Sequence, residues 1–166
     1  MTDLSETQRI GIGQFADVFQ MQDASRVCKL LRSAGSSRWR EWAERVHQQE
    51  LGAYDVAASH PALMDHTARC FGAAVVSRVT SATGEDISDR YLLSTGIVLE
   101  RLSGDEAKAA GLDPTSYPHV YVLLNAFDEV GVEAGDASVF GYEAPHTTKF
   151  VDITTRYGAR IVAEVI

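Results

Sequence analysis

Two glycines one residue apart, Gly11 and Gly13, interrupt a run of apolar β-formers in Arg9-Ile10-Gly11-Ile12-Gly13-Gln14-Phe15-Ala16-Asp17-Val18-Phe19. A single lysine then returns inside the apolar run Val27-Cys28-Lys29-Leu30-Leu31. The residues after the glycines alternate as a strand does. The stretch reads as three strands of an antiparallel meander, Gln8 to Ile12, Ala16 to Met21 and Arg26 to Leu31. The glycine turn is the first link and the polar Gln22-Asp23-Ala24-Ser25 is the second. A turn built this way leaves backbone bare enough to lie over phosphates, with a lysine beneath it.

Alternation sorts the third strand into two faces. Val27, Lys29 and Leu31 share one, and Cys28 and Leu30 share the other. A lysine in the middle of such a strand is costly to desolvate unless an anion or a carboxylate meets it. The alternative is an edge strand with Lys29 exposed to water.

Ser36 or Ser37 can cap a helix running to about Ala58. Its apolar stripe is Trp39, Trp42, Ala43, Val46, Ala53, Tyr54 and Ala57, at spacings of three and four. Glu50 falls inside that stripe, whereas Glu41 and Glu44 lie off it and read as solvated charges. A carboxylate on a buried helix face usually has a cationic partner, and Lys29 on the preceding strand is the economical one. The alternative leaves Glu50 flanking the stripe in water.

Past His60-Pro61, a fourth strand is expected over Ala73 to Val79, and a fifth strand region over Tyr91 to Leu93 and Gly96 to Leu102. A short helix from Ser103-Gly104-Asp105 to Gly111 follows, then a longer one over about Tyr117 to Val130, stopped by Gly131. A hairpin is expected next, with strands at Ser138 to Tyr142 and Lys149 to Ile153. The order is an α+β layout with two lobes and a hinge near Glu100 to Gly104.

At 166 residues and 45% hydrophobic content, the chain can fill one full core or two small lobes. Its formal charge of −8 argues against a nucleic-acid surface, which needs a basic stripe. Any polyanion must therefore be held by a few well-placed cationic and backbone groups. Two cysteines make no disulfide framework, and Cys28 reads as a small buried hydrophobe. His47, His60, His66 and Cys70 lack ligand spacing for zinc, and the histidines read as surface or loop residues. The start of the chain has no signal-peptide pattern, and no apolar run reaches membrane-spanning length, so no membrane partner is expected.

Gly11-x-Gly13-x-x-Ala16 also fits the dinucleotide fingerprint, but that unit needs a buried strand before the glycines and a helix after them. Asp3 to Arg9 are nearly all polar, and the residues after the glycines alternate as a strand. No Gly-Lys-Ser/Thr follows, which removes the Walker loop.

The pattern resembles protein kinases. Gly11-x-Gly13-x-Phe15-Ala16-x-Val18 is similar to the kinase glycine-rich loop, with alanine for its third glycine. Val27-Cys28-Lys29 resembles the Val-Ala-Ile-Lys strand, Glu50 the C-helix glutamate, and Ile97-Val98-Leu99-Glu100 the strand bordering adenine. Asp136 resembles the catalytic aspartate, with Ala134 where kinases carry histidine, and Gly141 falls where the metal-binding asparagine is expected. Val151-Asp152-Ile153 resembles the Asp-Phe-Gly segment, keeping only its aspartate. Residues 153–166 leave no room for an activation segment or the usual helical lobe, so the chain is similar in extent to minimal kinases among bacterial effectors.

This resemblance implies a single kinase-like domain over 1–166. Its antiparallel five-stranded N-lobe with one C-helix spans about 1–102, and a much reduced helical C-lobe with a β-hairpin spans about 103–166. It implies ATP and Mg²⁺ as cofactors. Gly11, Gly13, Phe15, Val18, Val27, Lys29 and Glu100 would line the nucleotide site, and Asp152 would hold the metal. Asp136, Lys29 and Glu50 would be catalytic, and the γ-phosphate would pass to a Ser/Thr or other hydroxyl of a protein. The second implied class is a pseudokinase, a nucleotide-binding or protein-interaction module. The implied location is the cytoplasm, or a host cell reached by a non-classical route.

Overall fold

In the computed structural model, which describes all residues except 105, 108, 109, 135–137 and 166, the glycine stretch is a β-hairpin. Strands β1 (Thr2–Ser5), β2 (Arg9–Ile12), β3 (Ala16–Gln20) and β4 (Arg26–Leu31) open the chain. The turn between β3 and β4 is pinned by the Asp23 carboxylate, which accepts from the Ser25 hydroxyl and backbone N–H at 2.6 and 2.9 Å. Those bonds hold its pKa below the usual carboxylate value.

β5 (Cys70–Ala74), β6 (Val76–Thr80) and β7 (Gly96–Glu100) come later in sequence. The main sheet has five strands in the order β2-β3-β4-β7-β5, and every neighbouring pair is antiparallel. β4 is therefore the central strand, which overturns the edge-strand alternative for Lys29. A chain with a strand, not a helix, after its glycines and an antiparallel sheet is not a dinucleotide-binding βαβ unit.

Two expectations fail here. Asp3 to Arg9, read only as nearly all polar, include most of β1, a strand that pairs in parallel with β6. The fourth strand, expected to run unbroken from Ala73 to Val79, is two strands in different sheets, with a register shift between Cys70 and Gly72. Leu4 of β1 and Val76 and Val79 of β6 join Phe19, Cys28, Leu30, Ile87 and Tyr91 in one buried cluster. Each buried Leu, Val, Ile or Phe side chain contributes roughly 1.5–3 kcal/mol, and this burial supports the short parallel pair. Burial in this cluster pushes the Cys28 thiol up to about 11.

The chain divides into two compact units, Met1–His47 with Cys70–Arg101, and Gln48–Arg69 with Leu102–Ile166. Helix α1 (Ser37–Ser59) has its first half in one and its second half in the other. The Ser36 hydroxyl accepts from Trp39 N–H at 3.1 Å and caps it. Trp42, Ala43, Val46, Ala53, Tyr54 and Ala57 are buried along its stripe, Glu50 with them, while Glu41 and Glu44 are exposed. His47 is a correction: it is buried, with Nε2 3.2 Å from the Gly96 carbonyl.

The second unit contains α2 (Pro118–Glu129), which starts on proline and buries Val120, Leu123 and Phe127. Gly131, at φ +75°, ends it. β8 (Val132–Glu133) pairs antiparallel with β11 (Thr154–Thr155), and β9 (Val139–Phe140) with β10 (Lys149–Phe150). The expected hairpin is present but shorter. Phe127 and Phe150 meet edge to face with centroids 5.0 Å apart. Helix α3 (Arg156–Ala163) was not foreseen from the sequence. The short helix expected after Ser103 falls partly outside the described residues; within them, Glu106 bridges to Phe140 and the Ala110 N–H bonds the Glu106 carbonyl. Among the described residues no helix is long and apolar enough to cross a membrane.

Candidate functional site

Strand register places the first unit's candidates in one row. Gly11 of β2 is opposite Val18 of β3, Val18 is opposite Lys29 of β4, and Lys29 is opposite Ile97 of β7. Residues opposite one another share a sheet face, so Lys29 lies two strands from the bare backbone of Gly11, about 10 Å at ordinary strand spacing. Lys29 is half-buried and Ile97 is buried. One register step away, Val27 pairs with Leu99, both buried, and half-buried Glu100 closes β7 opposite Arg26.

The glycine turn itself is tight. The Gly13 N–H donates to the Ala16 carbonyl at 2.8 Å. A Cβ on Gly13 would sit 3.2 Å from that same oxygen, whereas one on Gly11 would meet only Val18, at 3.5 Å. Gly11 thus has room for a methyl, and its backbone stays bare without structural need. Phe15, expected to cover the nucleotide, has its ring 5.9 and 5.2 Å from those of Trp39 and Trp42.

Sequence reasoning missed a charged cluster on the opposite face of β3. Asp17 is buried and accepts from the Tyr91 hydroxyl at 2.7 Å, from Arg9 at 3.4 Å and from Arg32. Burial first, and the bond to Asp17 second, raise the Tyr91 pKa. The available signal was Asp17 itself, a carboxylate at an inward position of an otherwise apolar strand.

In the second unit Glu50 is 6% exposed on α1. Its expected pairing with Lys29 joins residues of different units and belongs to the proposal below. Asp152 is exposed and stands between buried Phe150 and Ile153 after one intervening residue. It has φ +61° and is the only described residue other than glycine in that region. Its backbone N–H donates to the Tyr54 hydroxyl at 3.3 Å. Backbone held in the left-handed region costs on the order of 1–3 kcal/mol, least for Asp and Asn, and such residues cluster at functional sites.

Asp136 lies outside the described residues. Ala134 is buried. Gly141 has φ +61°, and a Cβ there would run into the Thr147 carbonyl, so no asparagine fits at that position. Arg156 is exposed and donates to Asp128 at 3.0 Å. Among the described residues no three His, Cys, Asp or Glu side chains are grouped to hold a metal ion.

No family model matches the chain, and no curated protein matches it. The resemblance to protein kinases rests on the chain's own residues. For a triphosphate those residues fit: a side-chain-free turn, a lysine in register with it on the central strand, and apolar Val18, Val27 and Leu99 on the same face. For a metal the fit is partial, with the exposed Asp152 carboxylate present and no side chain possible at 141.

Proposed function

We propose that the chain is an ATP- and Mg²⁺-dependent phosphotransferase of the protein-kinase type, acting on a hydroxyl of a protein. The observation that carries this reading is the Gly11–Val18–Lys29 register on a central strand. A half-buried lysine at that place is well suited to an anion, and the bare Gly11 backbone is two strands away. In this reading the glycine turn covers the phosphates, Lys29 meets them, and Glu50 fixes Lys29. Val18 and Val27 take the base, with Glu100 at its edge, and Asp152 holds Mg²⁺. Asp136 orients the acceptor hydroxyl and takes its proton. Bound ATP with Mg²⁺ supplies the phosphoryl group and screens its charge in a chain of net charge −8. The left-handed backbone at Asp152 supports a functional role for that carboxylate.

The second reading is a nucleotide-binding pseudokinase. It is favoured by two positions, the buried Ala134 in the histidine's place and Gly141, where no metal-binding side chain can stand.

Thermal unfolding with ATP, with and without Mg²⁺, tests both. Ligand at 10–100 times its Kd adds about 1.4–2.7 kcal/mol, a rise of roughly 4–8 °C in a chain of this size. That rise should be lost in Lys29→Ala and should lose its Mg²⁺ dependence in Asp152→Asn, which keeps the left-handed backbone tolerable. No shift in any condition ends both readings. Phosphoryl transfer to a generic protein substrate, abolished by Asp136→Asn, selects the enzyme, and binding without transfer selects the pseudokinase.

A further inference from the structure

One residue holds three successive carbonyls of the glycine turn. Arg32, directly after β4, donates its backbone N–H to the Phe15 carbonyl at 2.9 Å. Its Nη2 donates to the carbonyls of Gly13 and Gln14, each at 2.6 Å. Its Nη1 donates to the Asp17 carboxylate, whose other partners are Tyr91 and Arg9. The carbonyl of Arg32 in turn accepts from the Trp39 indole N–H at 2.9 Å, and Trp39 and Trp42 flank the Phe15 ring.

A trans peptide points its C=O and N–H in opposite directions. With the Gly13 and Gln14 carbonyls turned to Arg32, the N–H groups of Gln14 and Phe15 face the other way. Among the described residues neither amide donates to a backbone carbonyl. A hairpin tip with bare amides is normally mobile and loses conformational freedom when a ligand orders it. A planar guanidinium with five donors in a fixed fork can hold two carbonyls and a carboxylate at once, a geometry that an ammonium, with three donors on one atom, does not match.

We propose that Arg32, braced by buried Asp17 and by the Phe15–Trp39–Trp42 contacts, is a positioning residue. It fixes the turn before ligand arrives, so that the Gln14 and Phe15 amides are already presented to a nucleotide's phosphates. The ligand half of this inference rests on the nucleotide-binding reading above; the ordering of the turn does not.

Backbone ¹⁵N relaxation of the ligand-free chain reads the ordering directly. In the wild type the Gln14 and Phe15 amides should have order parameters near those of rigid backbone, roughly 0.85, falling below about 0.6 in Arg32→Gln. Arg32→Lys keeps a positive charge beside Asp17, so it supplies the same measurement should Arg32→Gln fail to fold, and it should loosen the same two amides. The chain's two tryptophans are both in this cluster, so their fluorescence should shift in the variants that free Phe15. ATP affinity should fall about tenfold in Arg32→Lys, while kcat of any transfer changes less than twofold. Order parameters at 14 and 15 that match the wild type in both variants overturn the proposal. So does an ATP affinity unchanged by a loosened turn. A wild type that binds no ATP sinks the nucleotide reading alone, because the relaxation experiment still decides whether Arg32 orders the turn.

Discussion

Gly11 lacks a side chain for a reason that packing does not supply. Its φ is not in the left-handed region, and an added methyl would touch only Val18 at an ordinary 3.5 Å. Gly11→Ala should therefore fold as well as the wild type, or gain up to about 1 kcal/mol, since glycine within a strand is entropically unfavourable. The same methyl would stand where the nucleotide reading puts phosphate, so ATP affinity should drop at least several-fold. Paired thermal melts with and without ATP separate the two effects, and a Gly11→Ala chain with unchanged ATP affinity counts against a phosphate at this turn. Gly13 offers no such separation, because its Cβ already crowds the Ala16 carbonyl at 3.2 Å. Among single residues, the sequence exposed Lys29 and Glu50 because each breaks a pattern, a charge on an apolar strand and a charge on an apolar stripe. Arg32 stayed hidden. It sits where the strand pattern ends, and its partners other than Asp17 are backbone carbonyls, which carry no sequence signature.

Helix α3 shows where pattern reading stops at the level of secondary structure. Its sequence Arg-Tyr-Gly-Ala-Arg-Ile-Val-Ala carries a glycine in the third place, which lowers helix propensity by about 1 kcal/mol against alanine. What holds it is tertiary. The Thr155 hydroxyl accepts from Gly158 N–H at 3.0 Å as a cap, and itself donates to Gln49 of α1. Gly158 is the point of close approach, where a Cβ would lie 2.8 Å from Gln49 Cβ and collide with the Thr154 hydroxyl. Gly158→Ala should thus destabilise the chain by about 1–3 kcal/mol despite its better propensity, the usual cost of overpacking. A urea melt showing equal or greater stability would remove this account of α3. The strands of the meander, α1 and α2 were legible because alternation and the helical stripe act locally. The parallel β1–β6 pair and the two-residue strands β8 and β11 were not, since each is fixed by a partner more than twenty residues away in sequence.

The proposed activity asks one ligand to be served by residues of both compact units. Lys29 and the glycine turn belong to Met1–His47, and Glu50 and Asp152 belong to the second unit. A double-mutant cycle on ATP·Mg²⁺ affinity turns that requirement into a number. In the proposed reading Lys29→Met and Asp152→Asn would each remove a contact to one end of the same charged group, so losing the first should reduce what the second can still lose. The coupling expected between residues sharing a partner is about 0.5–3 kcal/mol, against the roughly 0.3–0.5 kcal/mol within which independent sites add. Gly158→Ala supplies the independent control, because it changes α3 packing and no ligand contact. If Lys29→Met and Asp152→Asn add as simply as either does with Gly158→Ala, the two residues do not act on one nucleotide. The kinase-like reading would then reduce to an anion site on the first unit alone. Coupling that appears only when Mg²⁺ is present would instead tie Asp152 to the metal, because its carboxylate has no favourable contact with a bare triphosphate.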